Sequence, residues 1–499
     1  MIGAHRQNGR DSVAQRTTAL LDRYSAYPKR SLYPTIYRFH SVALLTSSVA
    51  SGWDCAVIVM KFGGSSLADA EQVRKVGRIV EAALERQPVV VCSAHKGITD
   101  GLIAAARRAA QGDVDASSVI ERQRQILVDL DGEPSLLDAF YRDLTDMLRG
   151  ISLVREVSPR VLDFIQSFGE RMSVRTVASH LSKVGIAAMP FDAFDLGFVT
   201  DANFNQARPL EGFEQRMRDA FAARVPAKTV AVITGFVGKT AAGEITTVGR
   251  NGSDFSASCF AAGLGAEECQ IWTDTDGVMT CDPRLVADAR NIPAMSFAEA
   301  GELARYGGRV LHPSTLVPAV KANIPVRVLN TNHPDHPGTV ITKDGGSSTA
   351  PFTSIAYKEG QAVITIESPG MLGQYGFLAR VFDVVGQHEI DIDMVSTSEI
   401  SVSMTTSGHA DLASVVRALG AHGVVTVAEN KSLVCIVGRR ITQQTGVAAQ
   451  VFAALSDAGV NVEMISHGAN NINLSIMVDD DQVNRAVTAL HTALFSSSR

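Results

Sequence analysis

Short runs of apolar, mostly β-branched residues recur between residues 56 and 330 and alternate with longer segments that suit helices. A continuous apolar run of this length is typical of a strand that is buried on both faces of a parallel sheet. Their alternation with helices predicts an α/β domain on a mainly parallel sheet. The runs are residues 56–62, 88–93, 229–235, 269–273 and 325–329.

One helix is evident from the spacing of its apolar residues. Val73, Val76, Val80 and Leu84 recur at the intervals of one helix face, and charged residues fill the other face. We expect this helix to begin directly after the turn Gly63-Gly64-Ser65-Ser66. Because ligands of open α/β sheets bind at the carboxyl ends of the strands, this turn lies where a site is expected.

An internal repeat with a period of about seventy residues covers residues 361 to 495, and it aligns Gly376 with Gly446 and Met394 with Met464. Each copy has the order strand, helix, strand, strand, helix, which predicts two small α+β modules. The second copy lacks one strand. We expect the apolar run Ser354 to Tyr357 to supply it, so that the first module is inserted within the second.

These patterns divide the chain into five parts. The extension 1–55 is rich in Arg and Ser and poor in acids, which resembles an organelle transit peptide; a disordered tail or a misassigned start codon are the alternatives. We expect the α/β domain at 56–342, a Gly/Ser-rich linker and a strand at 343–360, and the two modules at 361–430 and 431–499.

Composition narrows the possible functions. The chain has 46 Lys and Arg against 52 Asp and Glu, a net charge of −6, which provides no basic field for nucleic acid. No apolar stretch approaches the roughly 18 residues of a membrane span. The six cysteines lie far apart, without the spacing of a zinc site or a disulfide framework. We therefore expect a cytoplasmic protein that binds neither nucleic acid nor membranes and holds no structural metal.

The strongest chemical signal is the motif Lys61-Phe62-Gly63-Gly64-Ser65-Ser66. Its glycines let backbone N–H groups approach an anion, and the lysine and the expected helix N-terminus add positive charge. The motif predicts a phosphate cradle, with an ordinary strand-to-helix turn as the alternative. Gly238-Lys239-Thr240 is no P-loop, because Ile233 replaces the required first glycine, and it predicts a hairpin turn with a solvated lysine.

Further polar motifs stand near the expected ends of strands and helices. Arg250 suits a carboxylate, and Asp254 opens the helix that follows it. Glu170 lies in a helical stretch, where a solvated surface charge is the alternative. The polar loop from Asp274 to Arg284 follows a strand that ends at Thr273. Taken singly, each motif has a structural explanation at least as good as a functional one.

In combination the motifs resemble the aspartate kinases of the amino-acid kinase family. The motifs in chain order are K-F-G-G-S-S, S-A-H-K-G-I-T-D, F-G-E-R-M-S, G-R-N-G-S-D, W-T-D-T-D-G-V, D-P-R and G-G-R-V-L-H-P. The repeat resembles paired ACT regulatory domains, above all in G-M-L-G-Q-Y-G-F-L-A-R-V-F and D-M-V-S-T-S-E. The resemblance covers residues 56 to 495. We expect a monofunctional, lysine-sensitive type, because too little chain follows for a fused homoserine dehydrogenase.

This resemblance implies an α/β sandwich followed by two ferredoxin-like ACT domains. It also implies that ATP phosphorylates the β-carboxylate of L-aspartate, the first step toward lysine, threonine and methionine. A carboxylate with a pKa of about 3.9 is already an anionic nucleophile at neutral pH, so the enzyme must mainly align the reactants and neutralise charge. ATP is expected to bring Mg²⁺, held mostly by phosphates and water.

The resemblance assigns roles to single residues. Lys61 would stabilise the transferring phosphoryl group, and Asp254 would orient cations across the site. Arg250 would bind the α-carboxylate of aspartate and Glu170 its ammonium, and Thr99 and Ser253 would complete the substrate site. The nucleotide-contacting positions would be Lys61, Gly63, Gly64, Ser65, Thr273, Asp274, Met279, Arg284, Arg309 and Val310. The effector-binding positions would be Met371, Gln374, Gly376, Phe377, Leu378, Asp393, Ser398 and Glu399.

The first ACT module has a turn with glycines at 370, 373 and 376 before an amphipathic helix, and such a turn can present N–H groups to an effector carboxylate. Asp393 offers a partner for an effector ammonium. We expect L-lysine as the allosteric effector, although Gly373 and Gln374 depart from the lysine-sensitive pattern. We also expect a homodimer or larger assembly through the ACT domains. The alternative is that the modules only form a dimeric sheet edge.

Three residues depart from the family pattern in the kinase part. Asn251 replaces a glycine but tolerates a left-handed backbone, Met279 replaces a tyrosine, and Arg309 replaces a lysine with a bulkier, forked cation. These departures leave two alternatives open: a catalytically weak ACT-domain amino-acid sensor, and a kinase for another amino-acid carboxylate such as glutamate.

Overall fold

The computed structural model describes residues 57–306, 313–346, 350–373, 375–408, 411–468 and 472–495. The predictions about residues 1–55, Arg309, Val310 and Gln374 therefore lie outside the described residues.

Residues 57–346 alternate strands with helices. The strands are β1 (Ile58–Phe62), β2 (Pro88–Cys92), β3 (Ala188–Phe191), β4 (Val199–Thr200), β5 (Val230–Thr234), β6 (Val237–Thr240), β7 (Ile245–Thr247), β8 (Glu268–Thr273), β9 (Ala294–Ser296), β10 (Val326–Asn330) and β11 (Thr339–Thr342). The helices are α1 (Ala70–Ala82), α2 (Ile98–Ala110), α3 (Ser117–Asp129), α4 (Asp138–Val154), α5 (Pro159–Lys183), α6 (Phe213–Arg224), α7 (Gly252–Leu264), α8 (Phe297–Arg305) and α9 (Pro313–Ala322).

Residues 350–495 form a second region. Its strands are β12 (Ser354–Glu367), β13 (Val395–Thr397), β14 (Ser401–Ser407), β15 (Val424–Val437), β16 (Met464–Ser466) and β17 (Asn473–Asp479). Its helices are α10 (Phe377–Gln387), α11 (Leu412–Leu419), α12 (Val447–Asp457) and α13 (Val483–Phe495).

The first region is built on an eight-stranded sheet in the order β3-β5-β2-β1-β8-β10-β11-β9. The strands from β3 to β10 are parallel, and β11 runs antiparallel to β10. The five apolar runs seen in the sequence are β5, β2, β1, β8 and β10, five consecutive strands at the centre of this sheet. The predicted mainly parallel sheet is therefore confirmed.

Helices cover both faces of this sheet. On one face, residues of α6, α7 and α9 such as Phe221, Phe260 and Leu316 pack against Val59 and other strand residues. On the other face, α1 and the second half of α5 pack against strand residues that include Met60. Helices α2 to α4 form a further cluster with the first half of α5. The first region is thus an α/β sandwich, as expected.

The expected start of α1 directly after Ser66 is wrong. The helix begins at Ala70, because the side chain of Asp69 accepts a hydrogen bond from the N–H of Gln72 and so caps the first turn. The residues between Ser66 and Asp69 form turns, in which Leu67 is fully buried. Three residues therefore separate the glycine turn from the first residue of α1.

The segment Gly238-Lys239-Thr240 also differs from its prediction. It belongs to β6, which pairs antiparallel with β7, so the hairpin is present but its turn comes later. The ammonium of Lys239 is only partly solvated, since it lies 3.7 Å from the ring centroid of Phe194. Partial burial of this ammonium lowers its pKa.

The second region contains a six-stranded antiparallel sheet in the order β13-β14-β12-β15-β17-β16. The first half of β12, Ser354–Lys358, pairs with Leu433–Val437 of β15, which also pairs with β17. The second half of β12 pairs with β14 and with the first half of β15. The strand before the first module thus belongs to the second module, as the sequence predicted.

The two regions share a packed boundary. Cys281 and Val286, on the loop after β8, lie in the hydrophobic core of the second module. On the same loop, the hydroxyl of Thr280 lies 2.9 Å from Nε2 of His491 in α13. Arg439 donates hydrogen bonds to backbone carbonyls of Asp344 and Gly346, so this part of the predicted linker is held in place.

The sequence argued against a membrane-spanning helix and against a disulfide framework, and the described residues bear on both. Within those ranges, no helix has both the length and the apolar character needed to cross a membrane. The five cysteines that the structure describes are all buried and free.

Candidate active site

The predicted phosphate-binding lysine lies at the carboxyl end of β1, in the middle of the large sheet. Since side chains alternate along a strand, Lys61 leaves the face opposite to Met60 and Phe62 and points to the side that α7 covers. There its Nζ lies 2.5 Å from Oδ1 of Asp254, with side-chain exposures of 11% and 10%. The distance is that of an ion pair between two largely buried side chains.

The two glycines after Lys61 allow close approaches between strand ends. A Cβ on Gly64 would lie 3.1 Å from the carbonyl oxygen of Ala94, and a Cβ on Gly63 would lie 3.3 Å from Nζ of Lys61. The N–H of Gly63 donates to the carbonyl of Trp272 at the end of β8. Side chains at these positions would displace the lysine and crowd the neighbouring strands.

A cavity of about 700 Å³ opens beside Lys61 and Asp254. This volume is typical of sites for small molecules. Four separate segments of the chain contribute predicted site residues to its lining, and these residues are Lys61, Gly64, Ser65, Thr99, Glu170, Arg250, Ser253 and Asp254. The structure therefore brings together both predicted catalytic residues and all four predicted substrate-binding residues.

Glu170 is not the solvated surface charge that the sequence left open. It lies in the middle of α5, is 4% exposed, and its Oε2 has no hydrogen-bond partner. Burial raises the pKa of this carboxyl to about 8, although the backbone of Ala94 partly offsets the shift. A buried carboxyl without a charged partner, placed at a cavity, is suited to receive a cationic group of a ligand.

Arg250 stands at the rim of the cavity, on the loop between β7 and α7, and it is exposed. Among the described residues, no carboxylate lies within ion-pair distance of its guanidinium. Asn251 follows with a φ of 56° as the residue before α7, so it adopts the left-handed backbone that its side chain was expected to tolerate. The substitution of glycine by Asn251 therefore leaves the local turn intact.

Lys61, Gly64 and Ser65 line the cavity, whereas the predicted nucleotide positions on β8 and on the loop after it lie outside its lining. Thr273 and Asp274 end β8, next to β1, and the Thr273 hydroxyl donates to the Asp274 carboxylate at 3.2 Å. Met279 lies on the following loop. Arg284 on that loop is paired with Asp282. The nucleotide role of these four residues stays a prediction.

The predicted effector turn has the expected backbone. Met371 ends a short 3₁₀ helix, and Gly376, with a φ of 77°, precedes the amphipathic helix α10. Phe377 is buried, whereas Leu378 is 38% exposed. Ser398 and Glu399 lie in the turn between β13 and β14.

Asp393 already has two cationic partners in this structure. Its carboxylate, 3% exposed, lies 2.6 Å from Nζ of Lys358 and 3.5 Å from Nε of Arg305. Lys358 belongs to β12, but Arg305 belongs to α8 of the first region. The ammonium-binding role of Asp393 stays a prediction, and its carboxylate joins the two regions.

Sequence reasoning missed several residues that line the cavity, namely His95, Gln166, Asn205 and Phe236. His95 stood in a quoted motif without an assigned role; burial lowers its pKa to about 4, so its ring is neutral. Gln166 lies one turn before Glu170 on α5, a spacing that would have placed it on the same helix face. Asn205 and Phe236 have φ values of 67° and 63°. Non-glycine residues with such backbones cluster at functional sites, but only a structure reveals them.

Comparison with known families gives two matches. The amino acid kinase family matches residues 56–330, and an ACT domain family matches residues 364–422 and 434–494. The first match covers seven of the eight strands of the large sheet and the cavity, and the second covers the two halves of the repeat.

Comparison with individual proteins gives similar chains from plants and bacteria. Aspartokinase 1, chloroplastic, of Arabidopsis thaliana is 36% identical over 88% of this chain and 80% of its own length. Lysine-sensitive aspartokinase 3 of Escherichia coli is 32% identical over 88% of this chain and 99% of its own length.

Two solved structures of E. coli aspartokinase III are also similar. One, in complex with aspartate and ADP in the R-state, has a TM-score of 0.76 at 32% identity and covers 88% of this chain and all of the other. The second, in complex with lysine and aspartate in the T-state, has a TM-score of 0.73 at 32% identity and covers 88% of this chain and 99% of the other.

Proposed function

Because the chain belongs to the amino acid kinase family, as an aspartokinase with C-terminal ACT domains, it is an ATP-dependent kinase of aspartate, and we propose how its residues divide the work. The observation that carries this proposal is the cavity itself. It combines a buried lysine, a buried carboxyl without a charged partner and an exposed arginine. These are complementary to a phosphoryl group, an ammonium and a carboxylate.

Aspartate binds through the charges that every α-amino acid carries. Its ammonium lies against Glu170, and its α-carboxylate lies against Arg250, whose planar guanidinium can donate two parallel hydrogen bonds. Ser253, in the first turn of α7, and Thr99, in the first turn of α2, provide hydroxyl groups on two walls of the cavity. Held at both charged groups, aspartate directs its β-carboxylate toward Lys61.

The β-carboxylate of aspartate is the nucleophile and needs no base, because it is ionised at neutral pH. It attacks the γ-phosphorus of ATP, the bond from this phosphorus to the β–γ bridging oxygen breaks, and ADP leaves. Lys61 neutralises negative charge on the transferring group. Asp254 holds the ammonium of Lys61 at the carboxyl end of β1, where the 2.5 Å contact supports such a role.

The nucleotide lies along the ends of β1 and β8 and contacts Gly63, Gly64, Ser65, Thr273, Asp274, Met279, Arg284, Arg309 and Val310. Mg²⁺ accompanies ATP and supplies charge neutralisation at its phosphates. Among the described residues, no three His, Cys, Asp or Glu side chains form a metal-binding group. Asp254, in the cavity lining, and Asp274, directly after β8, would be the carboxylate ligands, and most coordination positions of the ion would fall to phosphate oxygens and water.

An ADP-release assay with aspartate, glutamate and N-acetylglutamate tests this function, with hydroxylamine trapping of the acyl phosphate. We expect ADP release and a trapped hydroxamate with aspartate alone. Activity with glutamate or N-acetylglutamate instead would favour a different carboxylate kinase. Effector-dependent conformational change without any ADP release would favour an amino-acid sensor.

L-Lysine is the proposed feedback inhibitor, and the first ACT module is its proposed site. Support comes from the glycine turn before α10 and from the similarity to a lysine-sensitive enzyme. Steady-state rates with lysine and threonine at millimolar concentration, alone and together, test this role. Unchanged rates under all conditions would contradict it.

The enzyme is proposed to be a dimer or a larger assembly formed through its ACT modules. Support comes from apolar side chains left exposed in this chain on α10 and β13, namely Leu378, Phe382 and Val395. Molar mass in solution for the wild type and for Phe382→Glu tests it. A wild type that is monomeric at micromolar concentration would contradict the proposal. The cytoplasmic location likewise stays a proposal, which cell fractionation tests.

A further inference from the structure

Asp163 is a buried carboxylate that the assigned functions leave unexplained. It lies in α5 and is fully buried. Its Oδ2 accepts hydrogen bonds from the backbone N–H groups of Asn205 at 2.9 Å and Thr247 at 2.8 Å, and its Oδ1 accepts one from the Thr247 hydroxyl at 2.6 Å. In the described part of the chain no cation is paired with it.

Each of the three segments that meet at Asp163 forms a wall of the aspartate cavity. Helix α5 continues from Asp163 to Gln166 and Glu170, and the spacing of seven residues places Glu170 on nearly the same helix face. Asn205 lines the cavity from its own loop. Thr247 ends β7 and leads directly to Gly249 and Arg250, which also line the cavity.

The two loops are in backbone contact with each other as well. The N–H of Ala207 donates to the carbonyl of Thr247 at 3.0 Å. A Cβ on Gly249 would lie 2.9 Å from the carbonyl oxygen of Asn205. The loop that carries Arg250 and the Asn205 loop therefore contact each other, and Asp163 hydrogen-bonds both of them to α5.

We propose that Asp163 is a positioning residue that fixes Arg250 relative to Glu170 and thereby sets the affinity of the enzyme for aspartate. This inference rests on the proposed function, in which these two residues bind the two charged groups on the α-carbon. Asp163 touches neither substrate. It fixes the separation of the two binding groups, because one carboxylate holds the helix of Glu170 and the loop of Arg250 together.

The test measures steady-state kinetics and thermal unfolding of Asp163→Ala in the full chain. Removing the acceptor leaves three donors unsatisfied and frees both loops. We expect the KM for aspartate to rise by about 10-fold or more, which corresponds to about 1.4 kcal/mol or more, while the KM for ATP changes less than about 2-fold.

Asp163→Asn is the conservative variant. Its amide oxygen can accept from both backbone N–H groups, and its NH₂ can donate to the Thr247 hydroxyl, which then acts as acceptor. We expect it to restore the KM for aspartate to within about 3-fold of wild type. Thr247→Val removes one of the three contacts, and we expect an increase of about 3-fold in the same KM.

Glu268→Ala is the matched control, because Glu268 is a buried carboxylate with an arginine partner, Arg327, near the amino end of β8. We expect it to lower the melting temperature without changing the KM for aspartate. If Asp163→Ala raises both KM values alike, or only lowers the active fraction as Glu268→Ala does, Asp163 is merely structural. Should Asp163→Ala not fold, an unchanged KM in Thr247→Val overturns the proposal. A wild type inactive on aspartate would instead refute the proposed function.

Discussion

The cavity of the kinase region and the first ACT module each contain a buried carboxylate near a proposed ligand site, but the two differ in their partners. Glu170 is 4% exposed and its Oε2 has no partner. The side chain of Asp393 is equally buried at 3% exposure, yet Lys358 and Arg305 lie at its oxygens. The first carboxylate lacks the cation that would compensate its burial, and the second already has it.

This difference indicates that Glu170 and Asp393 have different functions. Burial of an unpaired carboxyl is unfavourable, so a cationic ligand that binds Glu170 offsets this unfavourable free energy. Asp393 gains little from a further cation, because an effector ammonium must compete with Lys358 and Arg305. Since Arg305 belongs to the kinase region, such competition would loosen a contact between the regions, which is one way for an effector to reach the active site.

The largest effect is expected for Lys61, the cavity residue whose positive charge acts on the transferring phosphoryl group. Lys61→Ala should fold and lower turnover by about 10² to 10³, as is typical for loss of a preorganised charge. ADP release by the purified variant measures this. Lys239→Ala, which removes a half-buried lysine from the ring of Phe194, is the matched control and should keep its turnover. Near-normal turnover of Lys61→Ala would remove Lys61 from the mechanism.

The next largest effect is expected on aspartate binding, in variants of the unpaired carboxyl Glu170 and of Arg250. Glu170→Ala should raise the KM for aspartate by about 30-fold or more, because loss of one partner of a buried charge pair costs about 2 to 5 kcal/mol. Arg250→Ala should raise the same KM by about 10-fold or more, because a hydrogen bond to a charged group contributes about 1.5 to 3 kcal/mol. The KM for ATP should change little. A selective loss of ATP affinity in either variant would show that the roles are misassigned.

The paired carboxylate should affect regulation and not catalysis. Asp393→Ala should abolish inhibition by lysine, a coupling of about 5- to 150-fold in apparent affinity, and leave uninhibited activity intact. Asp383→Ala removes an exposed acid from the same module and serves as control. Inhibition of Asp393→Ala as strong as that of wild type would refute its role.

Arg305→Ala separates two explanations of that result. If Asp393 transmits the effect across the boundary, Arg305→Ala should also lose inhibition but still bind lysine in a calorimetric titration. If Asp393 only binds the effector, Arg305→Ala should stay inhibited.

The smallest effect is a dependence on pH that only the unpaired carboxyl should show. Since burial raises the pKa of Glu170 to about 8, the free enzyme holds a proton there below that pH. Binding of an ammonium favours the ionised form, so the proton must leave. We expect the KM for aspartate to fall between about pH 6.5 and 8, by at most about 10-fold per unit, and to level off above. The same KM in Glu170→Gln should lose this dependence.

The raised pKa of Glu170 also predicts the direction in which the stability of the folded chain changes with pH. The folded pKa lies above the ordinary value of 4.5, so the folded chain binds more protons between these values than the unfolded chain does. The free energy of unfolding should therefore decrease as the pH rises through this window. Comparison of melting temperatures between wild type and Glu170→Gln, from pH 5 to 8, measures this contribution. A wild type that gains stability relative to the variant as the pH rises would contradict it.

Much of the architecture was accessible from the sequence for a physical reason. The five central strands are buried on both faces, so their residues are continuously apolar, and these were found. Strands β3, β9 and β11 were missed, because they lie toward the edges of the sheet. Strand β3 includes Pro190 and is partly exposed. The start of α1 was misplaced, because the cap at Asp69 outweighs the two serines before it.

The motifs of the candidate site could be predicted from the sequence, but their arrangement in space could not. The motifs with Lys61, Glu170 and Arg250 were found individually, and the cavity unites them. Whether Glu170 is buried or solvated depends on long-range packing that no local pattern contains. Asp163 carried no signal, since its partners are 42 and 84 residues away.

Strands β12 and β15 each run through both ACT modules, and this shared course constrains how the regulatory region can be inherited. In many proteins a repeated domain is a unit that recombination can duplicate, delete or exchange. Here a boundary drawn around either module would cut strands at Lys358–Gln361 and near Lys431, leaving each half without its neighbour. We therefore expect a chimera that exchanges effector specificity to fold only when residues 354–495 are exchanged together.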